Sequence, residues 1–230
     1  MIESISMARG ILITGTDIGV GKTLLGCALA FAAHARGMRV GVMKPIDIGC
    51  REVSGILESA DARGLAYAAA CSLPMDFLSP YRYRLPLPPP VASEADGASP
   101  PDLLEVAEVY RKIAARSDLM IVEGIGGIAT PIAWGKDSTD LARTLNVDIA
   151  IVAANRAGCL NASMLTIDRA LSRGLGILGL ILNDVDATPS PDAESNLESL
   201  RKMTEVPILG RVRHKQPVTR EIIDTLIPLP

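Results

Sequence analysis

Lys22, Thr23, Lys44 and Glu123 are the residues whose types and positions can do chemistry, and the chemistry they suit is the handling of phosphate. Lys22 and Thr23 close the stretch Gly15-Thr16-Asp17-Ile18-Gly19-Val20-Gly21-Lys22-Thr23, which follows the apolar run Ile11-Leu12-Ile13 and opens onto Leu24-Leu25-Gly26-Cys27-Ala28-Leu29-Ala30. A strand, a glycine-bearing turn and then Gly-Lys-Thr at a helix start make a phosphate-binding loop. Free backbone N–H groups surround the phosphates, the lysine reaches the β and γ oxygens, and the threonine hydroxyl can hold Mg²⁺. Gly19, Val20, Gly21, Lys22 and Thr23 are therefore the expected nucleotide-binding residues. The spacing is unusual: five residues separate Gly15 from Gly21, and Thr16 stands where the common pattern has its first glycine.

Lys44 lies in Lys44-Pro45-Ile46-Asp47-Ile48-Gly49, after a second apolar run. In doubly wound sheets ligands sit outside the carboxyl ends of the strands, which would turn Lys44 toward the same crevice as Lys22. A surface lysine ahead of a proline turn fits its position equally well. Glu123 ends Leu119-Met120-Ile121-Val122 and precedes Gly124-Ile125-Gly126-Gly127, a place suited to direct or water-mediated Mg²⁺ coordination. Asp61 sits early in a helical segment, where it reads either as a further metal ligand or as a helix N-terminal charge. Gly158-Cys159-Leu160-Asn161 begins another helix, whose N–H groups can receive a carboxylate or simply start the helix. Asn183 ends a strand, and its amide can pair with an adenine edge or shape a turn. His34 and His214 stand far apart and form no Ser/His/Asp or Cys/His pair.

The elements that must position these residues alternate. Strands are predicted near Gly10–Thr14, Arg39–Met43, Leu119–Val122, Ile149–Ala153, Ile177–Leu182 and Ile208–Gly210. Helices are predicted near Gly21–Ala35, Gly55–Ala70, Pro101–Ala115, Thr139–Leu145, Leu160–Arg173 and Asp192–Met203. Apolar strands between helix-period segments predict an α/β fold of three layers, a mostly parallel sheet with helices on both faces, of the P-loop NTPase type. Tyr81 to Pro101 carries six prolines, so it reads as a long surface loop and neither helix nor central strand. The alternation resumes beyond it, which predicts one domain over residues 1–230.

At 230 residues the chain is long enough for a large core. Apolar residues make up 48% of it but aromatics only 3%, so Val, Ile, Leu and Ala must build that core. A net charge of -3 gives no electrostatic ground for nucleic acid or an anionic membrane as partner. No apolar run reaches membrane-spanning length, and Met1–Met7 lacks the basic start and apolar core of a signal peptide. Cys27, Cys50, Cys71 and Cys159 are scattered without a CxxC, which points to free thiols in a reducing cytoplasm.

Taken in order, the motifs resemble the dethiobiotin synthetases, the biotin-biosynthesis branch of the deviant phosphate-loop ATPases. The resemblance rests on Gly15-Thr16-Asp17 with Val20-Gly21-Lys22-Thr23, and on Lys44-Pro45-Ile46 with Gly49. It continues through Ser59, Asp61-Ala62, Pro89, Gly97, Val122-Glu123-Gly124, Gly126-Gly127 and Thr130-Pro131. It closes with Gly158-Cys159-Leu160-Asn161, Leu165-Thr166 and Asn183-Asp184-Val185. The resemblance implies a cytoplasmic, Mg²⁺-dependent ligase whose co-substrate is ATP and whose other substrates are CO₂ and 7,8-diaminononanoate. A carbamate forms, ATP phosphorylates it to a carbamic–phosphoric anhydride, and the second amine closes a cyclic urea with release of ADP and phosphate. It implies Lys22 and Lys44 as catalytic residues, Thr23, Asp61 and Glu123 as metal ligands, and Asn183 as the adenine reader. Thr16, Ile18, Ile48, Gly126, Gly158, Cys159, Leu160 and Asn161 would line the substrate. The last four would come partly from a second subunit, which implies a homodimer.

The chain departs from the pattern at five places. Ile18 stands where Thr is common, Ile48 where Ser or Thr is common, and Pro90 and Ala162 where His is common. Gly210-Arg211-Val212-Arg213-His214 replaces an acidic-apolar-proline sequence. Two other readings of the same loop stay open: an amide ligase of the cobyrinic acid diamide type, and a non-enzymatic nucleotide switch of the partitioning kind. The first needs a glutaminase domain, and the second usually carries another lysine where this chain has Asp17 and Ile18.

Overall fold

A computed structural model of the chain describes residues 8–188 and 190–227. The reading made on Met1–Met7 lies outside them. Six parallel strands form the main sheet: β1 (Arg9–Gly15), β2 (Val40–Met43), β3 (Leu119–Glu123), β4 (Asp148–Ala154), β5 (Ile177–Asn183) and β6 (Ile208–Val212). Their order across the sheet is β6-β5-β4-β1-β3-β2. The chain runs outward from β1 to β2, returns to β3, and then crosses to β4 on the other side of β1. That reversal opens a crevice above the carboxyl end of β1.

Alternate residues of each central strand feed two separate cores. In β1, Ile11 and Ile13 join one core and Leu12 the other; in β3, Leu119 and Ile121 oppose Met120 and Val122. This is the period of two working on a sheet covered twice. The first core is closed by α1 (Lys22–Ala35), α2 (Ala60–Ala68), α3 (Met75–Leu78) and α9 (Arg220–Leu226). The second is closed by α4 (Pro89–Asp96), α5 (Leu103–Ala114), α6 (Ser138–Leu145), α7 (Cys159–Ser172) and α8 (Asn196–Met203). Each fully buried Leu or Ile contributes about 1.5–3 kcal/mol, so the near-absence of aromatics is made good by number. Among the described residues no helix is long and apolar enough to cross a membrane.

The expected strands fall within two residues of the observed ones, and two helical expectations and one loop expectation are corrected. The helix expected from Gly55 begins only at Ala60. Ahead of it Arg51–Val53 and Ile56–Glu58 form an antiparallel hairpin. Ser54 and Gly55 both take positive φ, the geometry of a tight two-residue hairpin turn, which ends any helix there. The segment Tyr81–Pro101, expected as loop, contains α4 and the two-residue strand Tyr81–Arg82. Pro89 and Pro90 occupy the first turn of α4, where a missing N–H costs no intrahelical bond. The helix expected from Asp192 starts at Asn196, after a turn. A second short strand, Ile46–Asp47, pairs in parallel with Tyr81–Arg82 and fixes the chain beyond Lys44.

Candidate active site

The loop from Gly15 to Thr23 joins β1 to α1 over the crevice. α1 has no side-chain cap and no acid in its first turn, so its N–H groups and positive dipole end are left for an anion. Gly21 takes φ 104°, and a Cβ there would collide with the side-chain amide of Asn183. That amide donates to Val20 O at 2.9 Å, so the tip of β5 holds the phosphate loop directly. Lys22 is 6% exposed and folds back to donate to Asp17 O at 2.9 Å. Burial, and then the neighbouring Lys44, lower its pKa to about 8.

Lys44 is no surface lysine; it is 3% exposed. Its ammonium donates to Glu123 Oε1 at 2.7 Å and Gly124 O at 3.0 Å, and stands 3.2 Å from Asp61 Oδ2. Burial opposes its charge, but Glu123, Asp47 and Asp61 outweigh that and hold the pKa above the ordinary lysine value. Glu123 is 1% exposed and also accepts from Thr23 Oγ1 at 3.0 Å. Burial pushes its carboxyl up, against the pull of Lys44. The expected metal ligands Thr23, Asp61 and Glu123 are thus brought together around Lys44.

These residues fit Mg²⁺. All are hard oxygen donors, and Glu123 Oε2 is buried without a hydrogen-bond partner among the described residues. No cluster of three or more His, Cys, Asp or Glu side chains occurs among those residues. Phosphate oxygens and water would therefore complete the coordination, as Mg²⁺ commonly requires.

Sequence reasoning passed over Asp47. It lies three residues beyond Lys44, accepts from Ser59 Oγ at 2.6 Å and Ile48 N at 3.0 Å, and burial raises its pKa. Its position in Lys44-Pro45-Ile46-Asp47 was the available sign, but one acid beside a strand carries little information by itself.

On the other side of the loop, Gly124–Thr130 is laid against β1 and the phosphate loop. Gly124 N donates to Ile13 O at 2.9 Å and Ile128 N to Gly15 O at 3.1 Å. A Cβ on Gly127 would stand 3.0 Å from Thr16 O, so a glycine lets the two loops meet. Gly126 is buried, with φ 58°. A cavity of about 600 Å³ opens between Thr16, Asp17, Gly127, Thr130, Asn161 and Thr166. The expected substrate residues Thr16 and Asn161 line it directly. Gly158 begins α7 with φ 85° and no side-chain cap. Cys159 is buried, and its N–H already donates to Arg156 O at 3.0 Å, which leaves the N–H groups of Leu160 and Asn161 for a ligand. Ile18 is 70% exposed at the loop crest, whereas Ile48 is half-buried against the second core.

A family profile described as an AAA domain matches residues 9–222. The ATP-dependent dethiobiotin synthetase of Aromatoleum aromaticum is 34% identical over 206 residues, covering 90% of this chain and 91% of that protein. The chain belongs to the dethiobiotin synthetase family. Solved structures of similar fold include the septum site-determining protein MinD complexed with Mg-ADP from Pyrococcus horikoshii. It is 19% identical, covers 94% of this chain and 85% of its own, and has a TM-score of 0.53. Chloroplast FtsY from Physcomitrella patens is likewise 19% identical with a TM-score of 0.52; the match covers 97% of this chain but 66% of FtsY. At these identities the two structures speak for the P-loop fold alone.

In this member of the dethiobiotin synthetase family the Gly210–His214 stretch has a structural use. Arg211 Nε donates to both oxygens of Asp184 at 2.9 Å, and its Nη1 stands 2.8 Å from Glu194. Asn155 Nδ2 donates to Asp184 Oδ1 at 2.7 Å and to Ala193 O at 3.1 Å. Arg211 thereby ties β6 to the loop that follows Asn183.

Proposed function

We propose that the whole chain, as one domain in a homodimer, is a Mg²⁺-dependent enzyme that carboxylates and cyclises 7,8-diaminononanoate with CO₂ and ATP. The observation that carries this reading is the pairing of two buried lysines, Lys22 and Lys44, beside Glu123 at one end of the sheet. A phosphate loop alone needs only the first. The second suits a reaction whose substrate and intermediate are both anions.

The first amine adds to CO₂ and loses a proton, giving the carbamate. A carbamate oxygen then attacks the γ-phosphorus and ADP leaves, giving the mixed anhydride. The second amine attacks the carbamoyl carbon, phosphate departs, and the ring closes with loss of the amine proton. Such phosphoryl transfer needs position and charge neutralisation more than covalent help. Lys22 would release Asp17 O to bridge the γ-phosphate and the carbamate, while Lys44 holds the developing anion. Thr23, Asp61 and the free oxygen of Glu123 would hold Mg²⁺, which supplies further neutralisation of the phosphates. Asn183 keeps its carbonyl oxygen for the amino group of adenine. Thr16, Ile18, Ile48 and Gly126 would enclose the diamine end. The α7 start from Gly158 to Asn161, contributed across the dimer, would receive the carboxylate through the N–H groups of Leu160 and Asn161.

The test is direct: purified protein with the diamine, bicarbonate, Mg²⁺ and ATP should yield a cyclic urea. No such product, with ATP hydrolysis indifferent to the diamine, overturns the reading.

A further inference from the structure

Asp47 has no part in the steps above, yet it is built into the site from two directions. Ser59 has one hydroxyl proton, and it goes to Asp47 Oδ2 at 2.6 Å. The Ser59 hydroxyl oxygen in turn accepts from Ala62 N at 3.0 Å and so caps α2. Ser59 is fully buried, which commits both contacts. Asp47 is itself fixed: its Oδ1 accepts from Ile48 N, and its backbone oxygen accepts from Tyr83 N at 3.0 Å.

The consequence lies two residues beyond Ser59. Asp61 stands in the first turn of α2, 3.2 Å from Lys44, with 38% of its side chain exposed. Burial does not hold it. The body of α2 is held by Ala62, Leu65 and Ala66 in the first core. Between Asp47 and Ser59 the chain makes an excursion through the hairpin of Arg51–Val53 and Ile56–Glu58, whose Val53 and Ile56 are exposed. A short path of Lys44 to Asp47 by chain, Asp47 to Ser59 by hydrogen bond, and Ser59 to Asp61 by chain closes that excursion at its base.

We propose that Asp47 is a positioning residue that, through the Ser59 hydroxyl, sets Asp61 for the divalent cation of the nucleotide site. This rests on the reading of Asp61 as a cation ligand given under the proposed function. Partners that orient a metal ligand matter nearly as much as the ligand itself.

The test is calorimetric binding of ADP over a range of Mg²⁺ concentrations, with amide hydrogen exchange at Ala62 and Arg63 as a metal-free readout. Asp47→Ala should raise the Mg²⁺ concentration required on the order of tenfold, leave metal-free ADP affinity unchanged, and speed exchange in the first turn of α2. Asp47→Asn keeps an acceptor for Ser59 and should recover most of the loss. Ser59→Ala cuts the same link from the other end and serves if Asp47→Ala does not fold. In an Asp61→Ala background, Asp47→Ala should add nothing. An unchanged Mg²⁺ requirement, a full loss repeated in the Asp61→Ala background, or an Asp61→Ala variant with parental Mg²⁺ dependence would each overturn the proposal. No diamine is present, so the outcome stands apart from whether the protein makes a cyclic urea.

Discussion

Lys44 and Glu123 form an ion pair at 2.7 Å across the carboxyl ends of β2 and β3, with 4% and 1% of their side chains exposed. A pair this deep costs each partner its water and is held because the other is there. Its place beside Lys22 and Thr23 also makes it part of the reaction centre proposed above.

Replacing Lys44 with Gln should therefore show two effects. Turnover should fall on the order of 10²–10³-fold, the range for removing one donor aimed at developing charge, with KM for ATP little altered. Stability should fall by about 3–5 kcal/mol because Glu123 is left buried and unpaired. Adding Glu123→Gln should return part of that stability while leaving turnover low. Denaturant unfolding and steady-state kinetics on the three variants separate the effects, and unchanged turnover in Lys44→Gln removes it from the catalytic residues.

Lys22 gives a pH signature. With a pKa near 8 in the free protein, it is largely neutral above that pH and gains a proton when phosphate oxygens surround it. ADP binding at pH 8.5 should take up a substantial fraction of a proton, and affinity should weaken as pH rises further. Near pH 6.5 this uptake disappears because Lys22 is already charged. Calorimetry in two buffers of different ionisation enthalpy measures the uptake, and Lys22→Arg should abolish it. The stability sign is opposite. The folded pKa lies below the ordinary 10.5, so the penalty for burying the charge is present below pH 8 and relieved as pH rises toward 10.5.

Gly21→Ala meets both a positive φ and the Asn183 amide. The strained backbone alone costs about 1–3 kcal/mol. ADP binding should weaken at least tenfold, and Asn183→Ala in the same chain should not restore it, because the φ remains wrong and the Val20 anchor is lost. Parental ADP affinity in Gly21→Ala would show that the loop has another accessible shape.

Ile18 and Ile48, both expected to depart from a hydroxyl residue, sit in different surroundings. Ile18→Thr changes an exposed side chain, so the melting temperature should hold. A regained hydrogen bond worth about 0.5–1.5 kcal/mol should lower KM for the diamine roughly 2- to 12-fold. Ile48→Thr removes packing from the second core and should cost on the order of 1 kcal/mol of stability, whatever it does for binding. A KM unmoved by Ile18→Thr would show that a side-chain hydroxyl has no use at that position.

The strands were legible because β1, β3 and β5 are apolar almost throughout, a pattern with few other uses. The phosphate loop was legible because Gly21, Lys22 and Thr23 recur wherever this chemistry does. Lys44 was ambiguous because a lysine before a proline carries no record of its burial, which only the pairing of β2 with β3 supplies. α4 was hidden by its own prolines, which forbid a helix interior but favour a first turn. Asp47 was silent for a different reason. Its partner Ser59 lies twelve positions away across a hairpin, and local patterning does not register such a contact.

The hydrogen bond from Asn183 to Val20 O reaches across 163 positions of sequence to join the tip of β5 to the crest of the phosphate loop. The two are riveted together, so any displacement of the strand tip is carried straight to the loop that opens α1.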